Sequence, residues 1–99
     1  MSFKCLSLDE AKTLIDSTEV SLADVRDSAS FLESNIPSAV NVTDETVEEF
    51  VASANKEIPL IVYCYHGNSS KGAADYFYSK GFSQVYSMDG GFEDWRLKY

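Results

Sequence analysis

Cys64 heads the hexapeptide Cys64-Tyr65-His66-Gly67-Asn68-Ser69, directly after the apolar run Leu60-Ile61-Val62-Tyr63 and directly before a stretch with helical spacing. A thiol in that place lies at the C-terminal end of a strand and at the N-terminal mouth of a helix. Unpaired backbone N–H groups and the positive end of the helix dipole converge there. Such a site stabilises anions, the cysteine's own thiolate included, and can hold a thiol below its ordinary pKa of ~8.5. Gly67 and Asn68 tolerate the positive φ that a tight loop of inward-facing amides needs. Ser69 or Ser70 is placed to cap the helix that follows. Cys64 is therefore the expected reactive group, and the amides from Tyr65 to Ser70 are the expected anion cradle.

The neighbouring side chains carry weaker signals. His66, the only histidine, is two residues from the thiol. Side chains at i and i+2 of a curling loop point apart, so His66 is read as a residue of the pocket rim and not as a general base. Lys71, on the first turn of the helix, either neutralises a bound anion or faces solvent. Arg26 ends the strand Val20–Val25, on the same sheet edge as Cys64 if the strands run parallel. It either lends charge to the site or pairs with Asp24 or Asp27. Cys5 has no feature of a resolving thiol. One histidine and two distant cysteines do not make a metal site, and neither a metal nor a cofactor is expected. Asp44, Glu45, Glu48 and Glu49 read as a solvated helix face, and Phe92 and Trp95 as core.

The elements that must position these residues follow from periodicity. Phe3–Leu6 reads as a strand, and Ser7 with Glu10 as a capping box opening a helix over Leu8–Asp16. Val20–Val25 is a buried strand and Asp27–Glu33 a short helix that stops before Ile36-Pro37. Ala39–Val42 is a brief strand. Thr43 is the expected cap of a helix whose inner face is Val47, Phe50, Val51 and Ala54. Leu60–Tyr63 is the most apolar strand. Ala73, Ala74, Phe77 and Tyr78 form the inner face of the helix after the loop, which ends at Lys80-Gly81. Gln84–Ser87 is the last strand, and Asp89-Gly90-Gly91 turns into a short helix carrying Phe92, Trp95 and Leu97. Five strands alternating with helices predict an α/β fold, a mainly parallel sheet with helices on both faces. In such sheets sites form beyond the carboxyl ends of the strands, where Cys64 falls.

Ninety-nine residues suit one domain, 1–99, able to bury about 60–70% of its unfolded surface. The 16 acidic and 8 basic residues leave a formal charge of −8. That field disfavours nucleic acid and anionic lipid as partners, and an anion site must be a local concavity of amides that outweighs it. Two cysteines, no signal-peptide pattern and no run near ~20 apolar residues suggest a cytoplasmic protein with no membrane partner.

Three motifs in order resemble the rhodanese family of sulfurtransferases. They are Leu22-Ala23-Asp24-Val25-Arg26, the six-residue loop Cys64–Ser69, and Asp89-Gly90-Gly91-Phe92 with Trp95 three residues on. The run from Cys64 to Ala74 is especially similar to single-domain members that act on thiosulfate. One segment departs: where many members have Gly-His-Ile-x-Gly-Ala, this chain reads Ser34-Asn35-Ile36-Pro37-Ser38-Ala39. That segment is expected to lie away from the cysteine loop. The resemblance implies sulfur transfer by double displacement. Cys64 takes the outer sulfur of thiosulfate as a persulfide, with Tyr65, His66, Gly67, Asn68, Ser69, Ser70 and, more peripherally, Lys71 and Arg26 around the substrate. Cyanide, or a dithiol protein such as thioredoxin, would accept the sulfur. An alternative is a persulfide relay fed by another enzyme. A cysteine phosphatase is a further alternative, but its Cys-x5-Arg loop would need arginine where this chain has Ser70.

Overall fold

Ser7 and Glu10 cap the first helix reciprocally. The Ser7 hydroxyl accepts from the Glu10 amide at 3.1 Å, and the Glu10 carboxylate accepts from the Ser7 amide at 2.9 Å. The computed structural model describes residues 3–99. Its elements run β1 (Lys4–Leu6), α1 (Leu8–Ser17), β2 (Ser21–Asp24), α2 (Ser28–Glu33), β3 (Val40–Asn41), α3 (Val47–Ser53), β4 (Leu60–Tyr63), α4 (Ser69–Ser79), β5 (Val85–Met88) and α5 (Gly91–Lys98). The strands form one five-stranded sheet in the order β1-β5-β4-β2-β3, and every pairing is parallel. The expected α/β architecture is the one observed.

Successive side chains of a strand point to opposite faces, and this sheet builds a core on each. On one face Ala23, Leu60, Val62 and Val85 meet Phe50 of α3 and Ala74 and Phe77 of α4. Phe50, Phe77 and Phe82 pack there with centroids 5.5 to 5.9 Å apart. On the other face Leu22, Ile61, Tyr63 and Met88 meet Ala11 of α1 and Phe92 and Trp95 of α5. β4 is central, and each of its four residues is 0% exposed. Burying side chains of this kind contributes roughly 1.5–3 kcal/mol each. The register sets Ala23 beside Val62 and Val62 beside Ser87. The chain therefore leaves β2, β4 and β5 along one edge of the sheet, which brings Arg26, Cys64 and Gly90 together.

Four local expectations are corrected. Thr43 does not cap α3: Thr46 is its N-cap, and Thr43 opens the preceding turn, its carbonyl accepting from the Thr46 and Val47 amides at 3.0 and 2.9 Å. Neither Ser69 nor Ser70 caps α4, whose N-cap is Asn68 with no side-chain cap bond. Tyr78 leaves the inner face of α4 and is exposed, while Ser70, Ala74 and Phe77 are the buried residues of that helix. Leu97 is likewise exposed on α5, where Phe92 and Trp95 face the core.

Candidate active site

Cys64 follows the last residue of β4 and is 3% exposed. Its Sγ accepts hydrogen bonds from the Gly67 amide at 3.2 Å and from the Ser70 amide at 3.3 Å. Burial by itself pushes the thiol's pKa up. The Ser70 hydroxyl and the amides of Ser70, Gly67 and His66 outweigh it, and the net result lies below the ordinary thiol value. Since α4 starts without a side-chain cap, the amides of Asn68 and Ser69 have no backbone acceptor among the described residues. They are the orphan donors of a helix N-terminus, left open on the side where an anion would sit.

The loop keeps its amides inward because its carbonyls are held from behind. The Phe92 amide donates to the Cys64 carbonyl at 2.8 Å, and the Glu93 amide donates to the Tyr65 carbonyl at 3.0 Å. These are first-turn donors of α5, satisfied by the loop. So close an approach requires glycine. Gly91 has φ +64°, and a methyl group there would lie 2.4 Å from the Tyr65 carbonyl oxygen and 2.6 Å from the His66 nitrogen. Gly67, at φ +94°, is pressed against the Gly90 amide, 3.0 Å from where its own Cβ would be. The spacing of Gly90-Gly91 relative to Trp95 thus has a physical cause: Trp95 anchors α5 in the core and the glycines let its first turn abut the loop.

Side chains around the loop take distinct places. The Tyr65 hydroxyl bonds the Asp27 carboxylate and lies 2.9 Å from the Ser30 hydroxyl, joining the loop to the start of α2. Asp27 is itself the N-cap of α2, and its bonds with the Ser30 hydroxyl and amide hold its carboxyl below the usual carboxylate range. His66 and Lys71 are exposed on the rim. The open alternatives for Arg26 resolve to an ion pair with Asp24. Nε lies 3.1 Å from both carboxylate oxygens and Nη2 2.7 Å from Oδ2. Burial opposes the charge of Arg26, and Asp24 more than offsets this. The guanidinium also donates to the Ser34 carbonyl at 2.6 Å and lies 4.2 Å from the Phe92 ring centroid. It does not reach Sγ with a hydrogen bond; it ties the end of β2 to the segment after α2.

That segment is the one that departs from the family pattern, and its hydrogen bonds reach Arg26 and Tyr63, not the residues of the Cys64 loop. Ser34 accepts from Arg26, and the Ile36 amide donates to the Tyr63 hydroxyl at 3.2 Å. Ser38, where the family has glycine, keeps the left-handed conformation at φ +74°. Serine there carries a strain that glycine would not.

Sequence reasoning missed Ser87. It is 0% exposed on β5, and its Oγ lies 2.7 Å from that of Ser70. Its signal was strand parity: a small polar residue on the inward face beside Val62. Among the described residues no three His, Cys, Asp or Glu side chains converge to hold a metal ion. A cleft of about 480 Å³ opens on the same sheet edge between α3 and α4, lined by Val25, Val42, Val47, Ala73 and Phe77, and the Cys64 loop is not among its walls. Among the described residues no helix is long and apolar enough to cross a membrane.

The rhodanese-like domain family matches residues 7–98. The thiosulfate sulfurtransferase GlpE of Tolumonas auensis is 44% identical over 97 residues, covering 98% of this chain and 92% of that protein. GlpE of Pseudomonas savastanoi pv. phaseolicola is 45% identical over 97 residues, covering 98% and 91%. Among solved structures, a rhodanese-like domain protein from Staphylococcus aureus superposes with a TM-score of 0.81 at 26% identity, covering 94% of this chain and 91% of that one.

Proposed function

The chain belongs to the rhodanese family, and from that premise we propose that it is a thiosulfate sulfurtransferase that works through a Cys64 persulfide. The observation that carries the reading is the sulfur itself. A buried thiol, held below its ordinary pKa, accepts from two amides at the mouth of a helix. Its thiolate attacks the outer sulfur of thiosulfate. The S–S bond of thiosulfate breaks, sulfite leaves with the bonding pair, and Cys64 becomes a persulfide anion. An acceptor nucleophile then attacks the terminal sulfur, and the Cys64 thiolate is restored.

Each stage places negative charge in the same pocket, first the dianion and then the persulfide. The amides from Tyr65 to Ser70 meet that charge without reorganising. His66 and Lys71 on the rim shape the approach, and Arg26 holds the end of β2 in place. The acceptor is cyanide in an assay and a dithiol protein of the thioredoxin kind in the cell, which we take to be the cytoplasm. The working unit is one domain, residues 1–99. A phosphatase reading has no support from the loop: at the position of the phosphate-binding arginine stands Ser70, buried and bonded to Ser87.

Mass spectrometry after incubation with thiosulfate tests the proposal. The Cys64 peptide should gain ~32 Da, the mass of one sulfur atom, and lose it to cyanide as thiocyanate appears. Cys64→Ser should abolish both signals and Cys5→Ser should leave both intact. No adduct with thiosulfate, but an adduct after exposure to a persulfide-bearing protein, would replace the enzyme reading with a relay.

A further inference from the structure

Asp27 divides its carboxylate between two tasks. Oδ2 accepts from the Ser30 amide at 3.1 Å, which is the N-cap bond of α2. Oδ1 accepts from the Ser30 hydroxyl at 2.8 Å and from the Tyr65 hydroxyl, and the two hydroxyl oxygens are 2.9 Å apart. A helix cap needs only the first oxygen. The second holds a side chain 38 positions along the chain, that of the residue directly after Cys64. Tyr65 is thereby gripped at both ends. Its carbonyl accepts from the Glu93 amide at 3.0 Å, and its hydroxyl is fixed on the cap of α2. Gly91 lies against the Tyr65–His66 peptide, and one residue further on the Gly67 amide donates to Sγ at 3.2 Å. A rigid ring with its tip held passes that hold to its own backbone.

We propose that Asp27 is a positioning residue for the anion cradle: it latches Tyr65 and so keeps the loop amides aimed at negative charge on and around Cys64. Asp27 makes no hydrogen bond to Sγ and acts through Tyr65. Its carboxylate then has two effects of opposite sign. As a bare charge it repels an approaching anion, weakly, because it is exposed to water and salt. As a latch it favours the anion, because amides already held in place meet charge without reorganising. The latch is the larger effect.

The latch rests on the reading of Cys64 as the reactive sulfur, and its test needs no sulfur donor. In a Cys5→Ser background, Cys64 is alkylated by iodoacetate, an anion, and by iodoacetamide, its neutral counterpart. Both reagents consume the same thiolate, so its abundance cancels in the ratio of the two rates. Divided by the same ratio for free β-mercaptoethanol, that quantity reads the cradle's preference for negative charge. Measured well below Tm, it does not respond to a loss of stability alone. Tyr65→Phe keeps the ring and every charge, and should lower the ratio roughly three- to tenfold, the scale of one hydrogen bond. Asp27→Ser keeps a good N-cap for α2 but is too short to hold Tyr65. Its ratio should fall as well, although a negative charge has been removed. The double variant should fall no further than Tyr65→Phe alone. An unchanged ratio in Tyr65→Phe, or a raised one in Asp27→Ser, would overturn the latch. Should Tyr65→Phe fail to fold, the direction of change in Asp27→Ser decides alone. Absence of a thiosulfate adduct on Cys64 would instead strike the functional proposal and leave the latch standing.

Discussion

Replacing Gly91 by alanine should disable the site from behind. The added methyl group would lie 2.4 Å from the Tyr65 carbonyl oxygen, 2.5 Å from its carbon and 2.6 Å from the His66 nitrogen. Those distances are about 1 Å inside ordinary contact, and every atom involved is backbone, so no side chain can swing away. Either α5 retreats or the Tyr65–His66 peptide is pushed toward the sulfur. Both movements stretch the bonds from Phe92 and Glu93 to the loop carbonyls. Overpacking costs about 1–3 kcal/mol, and alanine at φ +64° adds about 1–2 kcal/mol. For a chain of this size the midpoint of thermal unfolding should fall by roughly 10–30 °C. Displaced amides should lower sulfur transfer further, since one misplaced donor of this type is worth about 10²–10³ in rate. Thiocyanate production from thiosulfate and cyanide, measured well below the new Tm, separates activity from unfolding. Wild-type turnover together with an unchanged Tm would refute the account of the loop as shaped by α5.

Gly67→Val should impair transfer more than stability, because Gly67 sits at φ +94° against Gly90 and its amide is one of the two on Sγ. Equal losses in turnover and Tm would contradict this. Gly72→Ala is the opposite case: nothing lies within 4 Å of the new methyl in α4, so it should stabilise by about 0.5–1 kcal/mol, read as a small rise in Tm. The Cys64 thiolate is favoured by folding, so the midpoint of its alkylation should lie below that of an ordinary thiol. The associated stability, relative to Cys64→Ala, should be fully present above the ordinary thiol value and disappear as pH falls through the lowered folded value. Urea titrations across the window would show it, and a pH-independent difference would count against it. Arg26→Ala strands the buried Asp24 carboxylate and should cost about 3–5 kcal/mol, while leaving persulfide formation intact in the fraction that stays folded.

Much of the fold was legible because its signals are local. The capping box of Ser7 and Glu10, the apolar run Leu60–Tyr63 and the alternation of strands with helices each lie within a few residues of sequence. The errors were local as well. Thr43 and Thr46 both offer a hydroxyl before the same helix, and only the turn between them decides which residue is N-cap. Ser69 and Ser70 looked like caps, yet the buried position of Ser70 turned its hydroxyl toward β5.

From sequence alone came the proposed nucleophile, its strand-to-helix junction, and the absence of the arginine a phosphatase would need. Each depends on residue type and spacing along one short segment. Only the tertiary structure decided what holds that segment in shape. Gly90 and Gly91 lie 26 and 27 residues beyond Cys64, and Ser87 and the adjacent Arg26 and Asp27 come from two other places in the chain. A parallel sheet brings them to one edge, because each strand end is joined to the next by a crossover helix. The loop's amides therefore face the sulfur only once α5 has bound its carbonyls from the other side.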